Sequence, residues 1–250
     1  VRLCLDRAGL VGGDGAVHHG FCDISILRVF PDSCLMASMD EPSLEASLEF
    51  MRTYDIGLSA VRYPRDSVSG RFVDDECPPF ELGQARALLT HEQPDAAILG
   101  YGTSVMQSAE AIEALSGEYK VDLYDARFAK PVDIGLIRRL VSRGIPIITV
   151  EDHGEEGGFG SCVVDAAQAA GLDVRGIRRL AIPSTHWIYQ GSRGGQLEEA
   201  GIDPASIARA VREVVDAQGV GGERSAPIVE TVHHEETKKS AASPAKSPLK

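Results

Sequence analysis

Residues 6–20, DRAGLVGGDGAVHHG, set Arg7, two acids and two adjacent histidines among five glycines. Arg7 offers a forked, permanently charged donor suited to phosphate or carboxylate. Asp14 and His18 lie four residues apart, and a histidine can relay a proton near neutral pH. Glycines at 9, 12, 13, 15 and 20 admit positive φ and let backbone approach a ligand closely. A second segment, AVRYPRD at 60–66, adds Arg62 and Arg65. Either arginine could face the same crevice as the loop. Together these residues point to a site for a small anionic molecule with a proton to be moved. The pattern G-x-G-x-x-G is missing from the loop, so nothing supports dinucleotide binding. Two histidines and scattered cysteines do not make a metal site.

A second cluster, VEDHGEEGGFGS, spans residues 150–161. Its glycines lead into a helix N-terminus, a place where anions bind. Glu155 and Glu156 oppose that use, and the structural role is the stronger reading. DARFAKPVD at 125–133 reads as an ion-pair turn before a helix. His91 and His186 read as ordinary surface or satisfied histidines.

These groups need elements to hold them. VRLCL, SCLMAS and LSAVRY read as short apolar strands, with DISILRVF and EPSLEASLEFMRTY as helices between them. Asp23 is the expected N-cap of the first helix. Leu44, Leu48 and Met51 form the expected apolar face of the second. Strand and helix in alternation imply a parallel sheet, and in such sheets ligands sit at the strands' carboxyl ends. The VRLCL strand ends at Asp6, which puts the glycine-rich loop at that edge. A second α/β unit follows, with strands at QARALL, DAAILGYG, KVDLYDAR, IPIITVED and VRGIRRLAI. Asp133 and Asp203 are expected N-caps within it. The fold class is therefore α/β, two successive parallel-sheet units. The expected layout is 1–72, a linker at 73–82, a second unit at 83–216 and a disordered tail at 217–250, rich in Ala, Ser, Pro and Lys.

The 250 residues are 43% hydrophobic and 25% charged, with a formal net charge of −12. That balance argues against general binding to nucleic acid or an acidic membrane. No apolar run approaches the roughly 20 residues of a membrane span. The five cysteines form no C-x-x-C pair. They are expected to be buried thiols of a reducing, cytoplasmic compartment. The chain opens at Val1, inside a strand and without Met, so a fragment or split-gene product is expected.

DRAGLVGGDGAVHHGFCDISILRVFPD resembles the signature of the 1-deoxy-D-xylulose 5-phosphate synthases, thiamine-diphosphate enzymes of the transketolase superfamily. The resemblance continues through AVRYPRD, LGYGTSV, YDARFAKPVD and VEDHGEEGGFGS and covers residues 1 to about 215. It implies the later part of a pyrimidine-binding domain followed by a transketolase C-terminal domain. The implied reaction condenses pyruvate with D-glyceraldehyde 3-phosphate, releasing CO2, on a route to isoprenoids, thiamine and pyridoxal.

By the same resemblance, Arg7 and Arg65 hold the substrate phosphate, while Asp14 and His18 line the site near the reacting carbons. His19 is then expected to face solvent. The implied cofactors are thiamine diphosphate and magnesium. Their ligands, with the activating glutamate, are expected upstream of Val1 and so outside this chain. A homodimer is the implied assembly, and the chain alone is expected to have no turnover. Two other readings stand beside this one: a non-catalytic assembly or regulatory remnant, and the β chain of a two-chain 2-oxo acid dehydrogenase E1-like enzyme. The chain departs from the family pattern at Val17 (commonly Thr), His19 (commonly Gln), Asp66 (commonly Gly) and Ser184 (commonly Asp). Asp66 sets an acid next to Arg65, which weakens phosphate binding unless the acid turns away.

Overall fold

A computed structural model describes residues 1–67, 72 and 77–220. The tail is expected from 217, but residues 217–220 continue the helix Pro204–Val220; the rest of it, with His233 and His234, lies outside the described residues, as do 68–71 and 73–76 around the expected linker. The fold is mixed α/β, with two mostly parallel sheets.

The first sheet runs in the order β1 (Arg2–Leu5), β3 (Ser59–Arg62), β2 (Cys34–Ala37) and β7 (Phe128–Lys130). β3 and β2 are buried at every position, whereas β1, at the edge, alternates. The second sheet runs β4 (Arg86–Leu89), β6 (Val121–Asp125), β5 (Ala96–Tyr101), β8 (Ile147–Gly154) and β9 (Ile177–Ile182). All its pairs are parallel except β4 with β6. Helices α1 (Asp23–Leu27) and α2 (Glu41–Thr53) belong to the first part. Helices α3 (Ser104–Ala114), α4 (Ile134–Ser142), α5 (Phe159–Ala169), α6 (Arg193–Ala200) and α7 (Pro204–Val220) belong to the second.

The two sheets are joined more closely than the sequence implies. β7 lies in the stretch read as a turn, yet it forms the antiparallel edge of the first sheet against β2. Its Phe128 is fully buried and meets Phe80 at 5.6 Å. Arg127 lies over the Phe80 ring at 4.4 Å and donates to the carbonyls of Pro78 and Pro79. Residues 77–80, read as linker, are thus packed down. One apolar cluster spans both sheets, with Ile24, Leu35 and Ala60 from one side and Leu99, Ile147 and Phe159 from the other.

Several local expectations need correction. Val1, read as part of the first strand, is not in it: β1 begins at Arg2. Val1 is exposed, and only its carbonyl joins the sheet edge, accepting from the Ser59 amide at 3.0 Å. The cap position of α1 is Cys22, which makes no side-chain cap bond. Asp23 points its carboxylate at Arg62 instead, Nε to Oδ2 at 2.9 Å. On α2 the buried positions are Ser43, Ser47 and Met51, and Leu48 is exposed. The small serines let the helix sit close to the sheet, where the Ser38 and Ser47 hydroxyls meet at 3.2 Å. Cys34 and Cys162 are buried as expected, but Cys4 and Cys22 are exposed. Asp133 caps α4 by accepting from the Leu136 amide at 2.8 Å, and Asp203 accepts from Ala205 at 3.1 Å, both as the sequence implies. No described helix is long and apolar enough to cross a membrane.

Candidate functional site

β1 and β3 end together, with Leu5 in register with Arg62. The chains leave the sheet side by side: the Tyr63 amide donates to Leu5 O and the Ala8 amide to Tyr63 O, both at 3.0 Å. Arg7 and Arg65 are thereby brought to the same strand-end edge. Val1 is at the opposite, amino end of β1 and takes no part in the site. Both arginines reach Asp14, whose Oδ2 lies 3.4 Å from Arg7 Nε and 3.1 Å from Arg65 Nε. Arg7 also pairs with Asp6 and takes a positive φ of 55°, which turns its side chain out of the strand path. Arg7, Asp14 and Arg65 are therefore one assembly, half-exposed to solvent, in which Asp14, expected with His18 near the reacting carbons, pairs with the two arginines.

The other arginine of AVRYPRD has a different task. Arg62 is buried, and its guanidinium holds Asp23, the Gly20 carbonyl at 2.8 Å and the Asp152 carbonyl at 3.1 Å. It braces the base of the loop. His18 closes a short 3-10 turn, Ala16–His18, and is exposed. His19 does not face solvent as expected. Its Nδ1 accepts from the Val11 amide at 3.3 Å, which leaves Nε2 to donate to Ile188 O at 3.1 Å. It pins the glycine-rich loop to the segment after β9.

The loop's other supports come from far along the chain. Asp152 accepts from the Leu10 amide at 2.9 Å. Gln196, buried on α6, accepts from the Gly12 amide at 2.8 Å and donates to Gly12 O at 3.3 Å and Tyr189 O at 2.8 Å. Arg193, also on α6, donates to Leu10 O and lies 2.8 Å from Asp152 Oδ2. Arg193 and Gln196 are not marked in the sequence, and the segment that holds Asp152 is marked only as a separate cluster. The signal for α6 was Ser192, which caps it by accepting from the Gly195 amide at 3.1 Å; the pair Gly194–Gly195 hid the helix.

VEDHG at 150–154 is bracing as well. Glu151 occupies the N-terminus of α5, where its oxygens accept from Phe159 and Gly160 at 2.5 and 2.7 Å. The helix end that could have bound an outside anion is filled by the chain's own carboxyl. Burial pushes that carboxyl up to about 7. His153 is fully buried, accepts from the Ile24 amide through Nε2 at 3.2 Å and faces Gly154 O through Nδ1 at 2.9 Å. That pattern is a neutral ring protonated on Nδ1. Burial, then the nearby Arg62 cation, lower it from 6.5 to about 4.

The depressed histidine makes a pH prediction. The unfolded ring takes a proton below pH 6.5, while the folded one resists until about 4. Its stabilisation is thus full above 6.5 and is lost as pH falls towards 4, by roughly 3 kcal/mol. Glu151 and Asp125, both raised by burial, act in the opposite direction. The histidine is therefore isolated by difference: denaturant unfolding of wild type and His153→Asn at pH 7 and pH 4 should show the gap between them shrink by about that amount. A gap independent of pH would contradict the assignment.

A cavity of about 340 Å³ adjoins the loop, lined by Leu10, His19, Phe21, Ile182, Trp187 and Ile188 among others. Trp187, the single tryptophan, packs edge-on against Phe21 with ring centroids 5.5 Å apart. Ser184, the departure noted in the sequence, lines this cavity.

Known proteins resemble this chain in sequence and fold. Residues 85–207 match the family described as transketolase, C-terminal domain. The chain is 34% identical over 219 residues to the 1-deoxy-D-xylulose-5-phosphate synthase of Rhodopirellula baltica, an alignment covering 88% of this chain and 34% of the relative. It is 37% identical over 228 residues to the corresponding synthase of Gloeobacter violaceus, covering 90% and 35%. The chain thus spans about a third of the length of the curated relatives it matches. Among solved structures, a split-gene transketolase in an inactive β4 tetramer aligns with a TM-score of 0.70 and 22% identity, covering 86% of this chain and 66% of that one. Transketolase from Leishmania mexicana aligns with a TM-score of 0.61 and 16% identity, covering 84% and 30%. These two establish the fold. The matched family, the synthase relatives and the shared fold agree: residues 85–207 of this chain are a transketolase C-terminal domain.

Proposed function

We propose that this chain forms the phosphate-binding side of the active site of a thiamine-diphosphate-dependent synthase that joins pyruvate to D-glyceraldehyde 3-phosphate with release of CO2. The observation that carries the reading is the convergence of Arg7 and Arg65 on one carboxylate, Asp14, at the carboxyl ends of two parallel strands. Two guanidinium groups meeting at one point make a fork for a phosphoryl dianion, and Asp14 holds them there as an anion would. The synthase relatives support the choice of substrate. In this reading Arg7 and Arg65 bind the phosphoryl group, Asp14 orients them, and His18 exchanges a proton with the reacting end of the bound aldehyde.

The cofactor's diphosphate–magnesium end does not fit the residues described. Among them, no group of three or more His, Cys, Asp or Glu could hold a metal ion, and the acids nearest the site, Asp6 and Asp14, are committed to arginines. We assign those ligands to polypeptide outside the described residues and route no step through them.

In the complete enzyme, Arg65→Ala should raise the KM for the phosphorylated aldehyde far more than the KM for pyruvate. Loss of one charge-assisted contact costs about 1.5–3 kcal/mol, or roughly tenfold to over a hundredfold in kcat/KM for that substrate. Steady-state kinetics varying each substrate in turn decide it. Equal effects on both would make Arg65 a support of the fold.

A further inference from the structure

Arg65 is followed in the chain by an acid, Asp66, which would be expected to compete with any phosphate for the Arg65 guanidinium. The structure shows where Asp66 goes. Its Oδ2 lies 2.8 Å from Arg193 Nε, an ion pair rather than an aligned hydrogen bond. Arg193 is nearly buried, with a side chain 12% exposed, and its other edge lies 2.8 Å from Asp152 Oδ2. It also donates to Leu10 O. One guanidinium from α6 thus touches both segments that carry the phosphate-binding arginines. Through Leu10 it holds the loop of Arg7, and through Asp66 the turn of Arg65.

We infer that Arg193 is a positioning residue that draws the Asp66 carboxylate away from Arg65, so that Arg65, already 3.1 Å from Asp14 Oδ2, does not take a second carboxylate in the place of an anionic substrate. The inference rests on the phosphate-binding reading of Arg7 and Arg65. Its physical basis is a competition between two cations for one acid. Arg193 is the more buried partner, in a place of lower dielectric, and it is also held by Asp152 and Leu10. A fixed, partly desolvated cation attracts a carboxylate more strongly than an exposed, mobile one. Arg65, with its side chain 56% exposed, is the weaker competitor while Arg193 is present. Without Arg193, Asp66 keeps its charge and Arg65 is the adjacent cation. The acid at residue 66 then screens the phosphate site from within. This gives the Asp66 departure a compensating residue 127 positions away in the chain, on a different sheet's helix.

Both arginines of the site belong to this chain, so the test needs no partner. The probe is sn-glycerol 3-phosphate, with glycerol as the uncharged control, titrated calorimetrically into the 250-residue chain. Arg193→Gln, which keeps N–H donors for Leu10 O, is expected to weaken binding of the phosphorylated probe about fivefold to tenfold. Asp66→Asn alone should stay within about twofold of wild type. The double variant, Arg193→Gln with Asp66→Asn, should return to within about twofold of wild type. A merely structural role for Arg193 at Leu10 would leave the double variant as weak as the single one, and that result overturns the inference. Should the glutamine variant fail to fold in a thermal melt, Arg193→Lys replaces it. A single ammonium cannot serve Asp152 and Asp66 together, so a loss of twofold to fivefold is expected, again removed by Asp66→Asn. Failure of that rescue is equally fatal. Arg65→Ala separates the two readings. If it abolishes phosphate-dependent binding while the Arg193 variants bind as wild type, the inference alone falls. If it changes nothing, or wild type shows no preference for the phosphorylated probe, the phosphate site itself falls and the inference with it.

Discussion

His18→Ala is expected to lower kcat/KM of the complete enzyme by roughly 10²–10⁴-fold, the range for losing a positioned acid–base group. His18 is exposed at the end of a 3-10 turn, one turn beyond Asp14. Its removal leaves no cavity in the loop, so the melting temperature should hardly move. Its neighbour makes the contrast. His19 bridges Val11 and Ile188, and the glutamine common in the family must replace an acceptor and a donor set on opposite ring edges. His19→Gln should therefore cost about 1–2 kcal/mol of stability and leave the chemistry of the folded enzyme near wild type. Kinetics and thermal melts on both variants test the pair. A full-rate His18→Ala, or a His19→Gln that loses rate without losing stability, would reverse the assignment.

Gly9→Ala should be among the most damaging single substitutions in the chain, at about 3–5 kcal/mol. Gly9 has a φ of +72°, and a Cβ there would lie 2.1 Å from Cγ of Asp152 and 2.2–2.3 Å from its oxygens. Asp152 has no freedom to retreat, because it is bound to the Leu10 amide and to Arg193. The substitution combines left-handed strain with a backbone-anchored clash, and these add. It would also unseat Leu10, and with it the loop that carries Arg7 and Asp14. Gly13→Ala is the control: a Cβ there meets nothing within 4 Å and its φ is not in the left-handed range, so a change within about 0.5 kcal/mol is expected. Denaturant unfolding of the two variants gives the comparison. Similar, small losses would mean the loop yields at Gly9.

Much of the site is legible locally. Arg7 and Arg65 follow the ends of two short strands, Asp14 lies in the loop that Arg7 opens, and strand ends meet wherever the strands are parallel neighbours. Their convergence follows from two short segments and one rule of topology. The supports are another matter. Asp152, Arg193 and Gln196 act on Leu10 and Gly12 across 142 to 184 residues. No spacing in one sequence encodes such a contact: Arg193 and Gln196 look like ordinary surface polar groups, and Asp152 sits in a cluster that points to its own helix end and not to this loop. The three-residue strand β7 was read as a turn because a short edge strand has too few positions to show alternation. Asp23 reads as a helix cap by its type, but a buried arginine makes a stronger claim on its carboxylate than a backbone amide. Histidine 19 could not be told from histidine 18 by type; only the fold gives one of them a pair of backbone partners.

The most direct test of the phosphate site is calorimetric titration of D-glyceraldehyde 3-phosphate and of unphosphorylated D-glyceraldehyde into the 250-residue chain and its Arg7→Ala/Arg65→Ala variant. The phosphorylated aldehyde should bind at least tenfold more tightly than its unphosphorylated counterpart, and the double variant should lose that preference while keeping its melting temperature. Equal binding of the two aldehydes to wild type, or a preference that survives loss of both arginines, would contradict the assignment of Arg7 and Arg65 to the substrate phosphate.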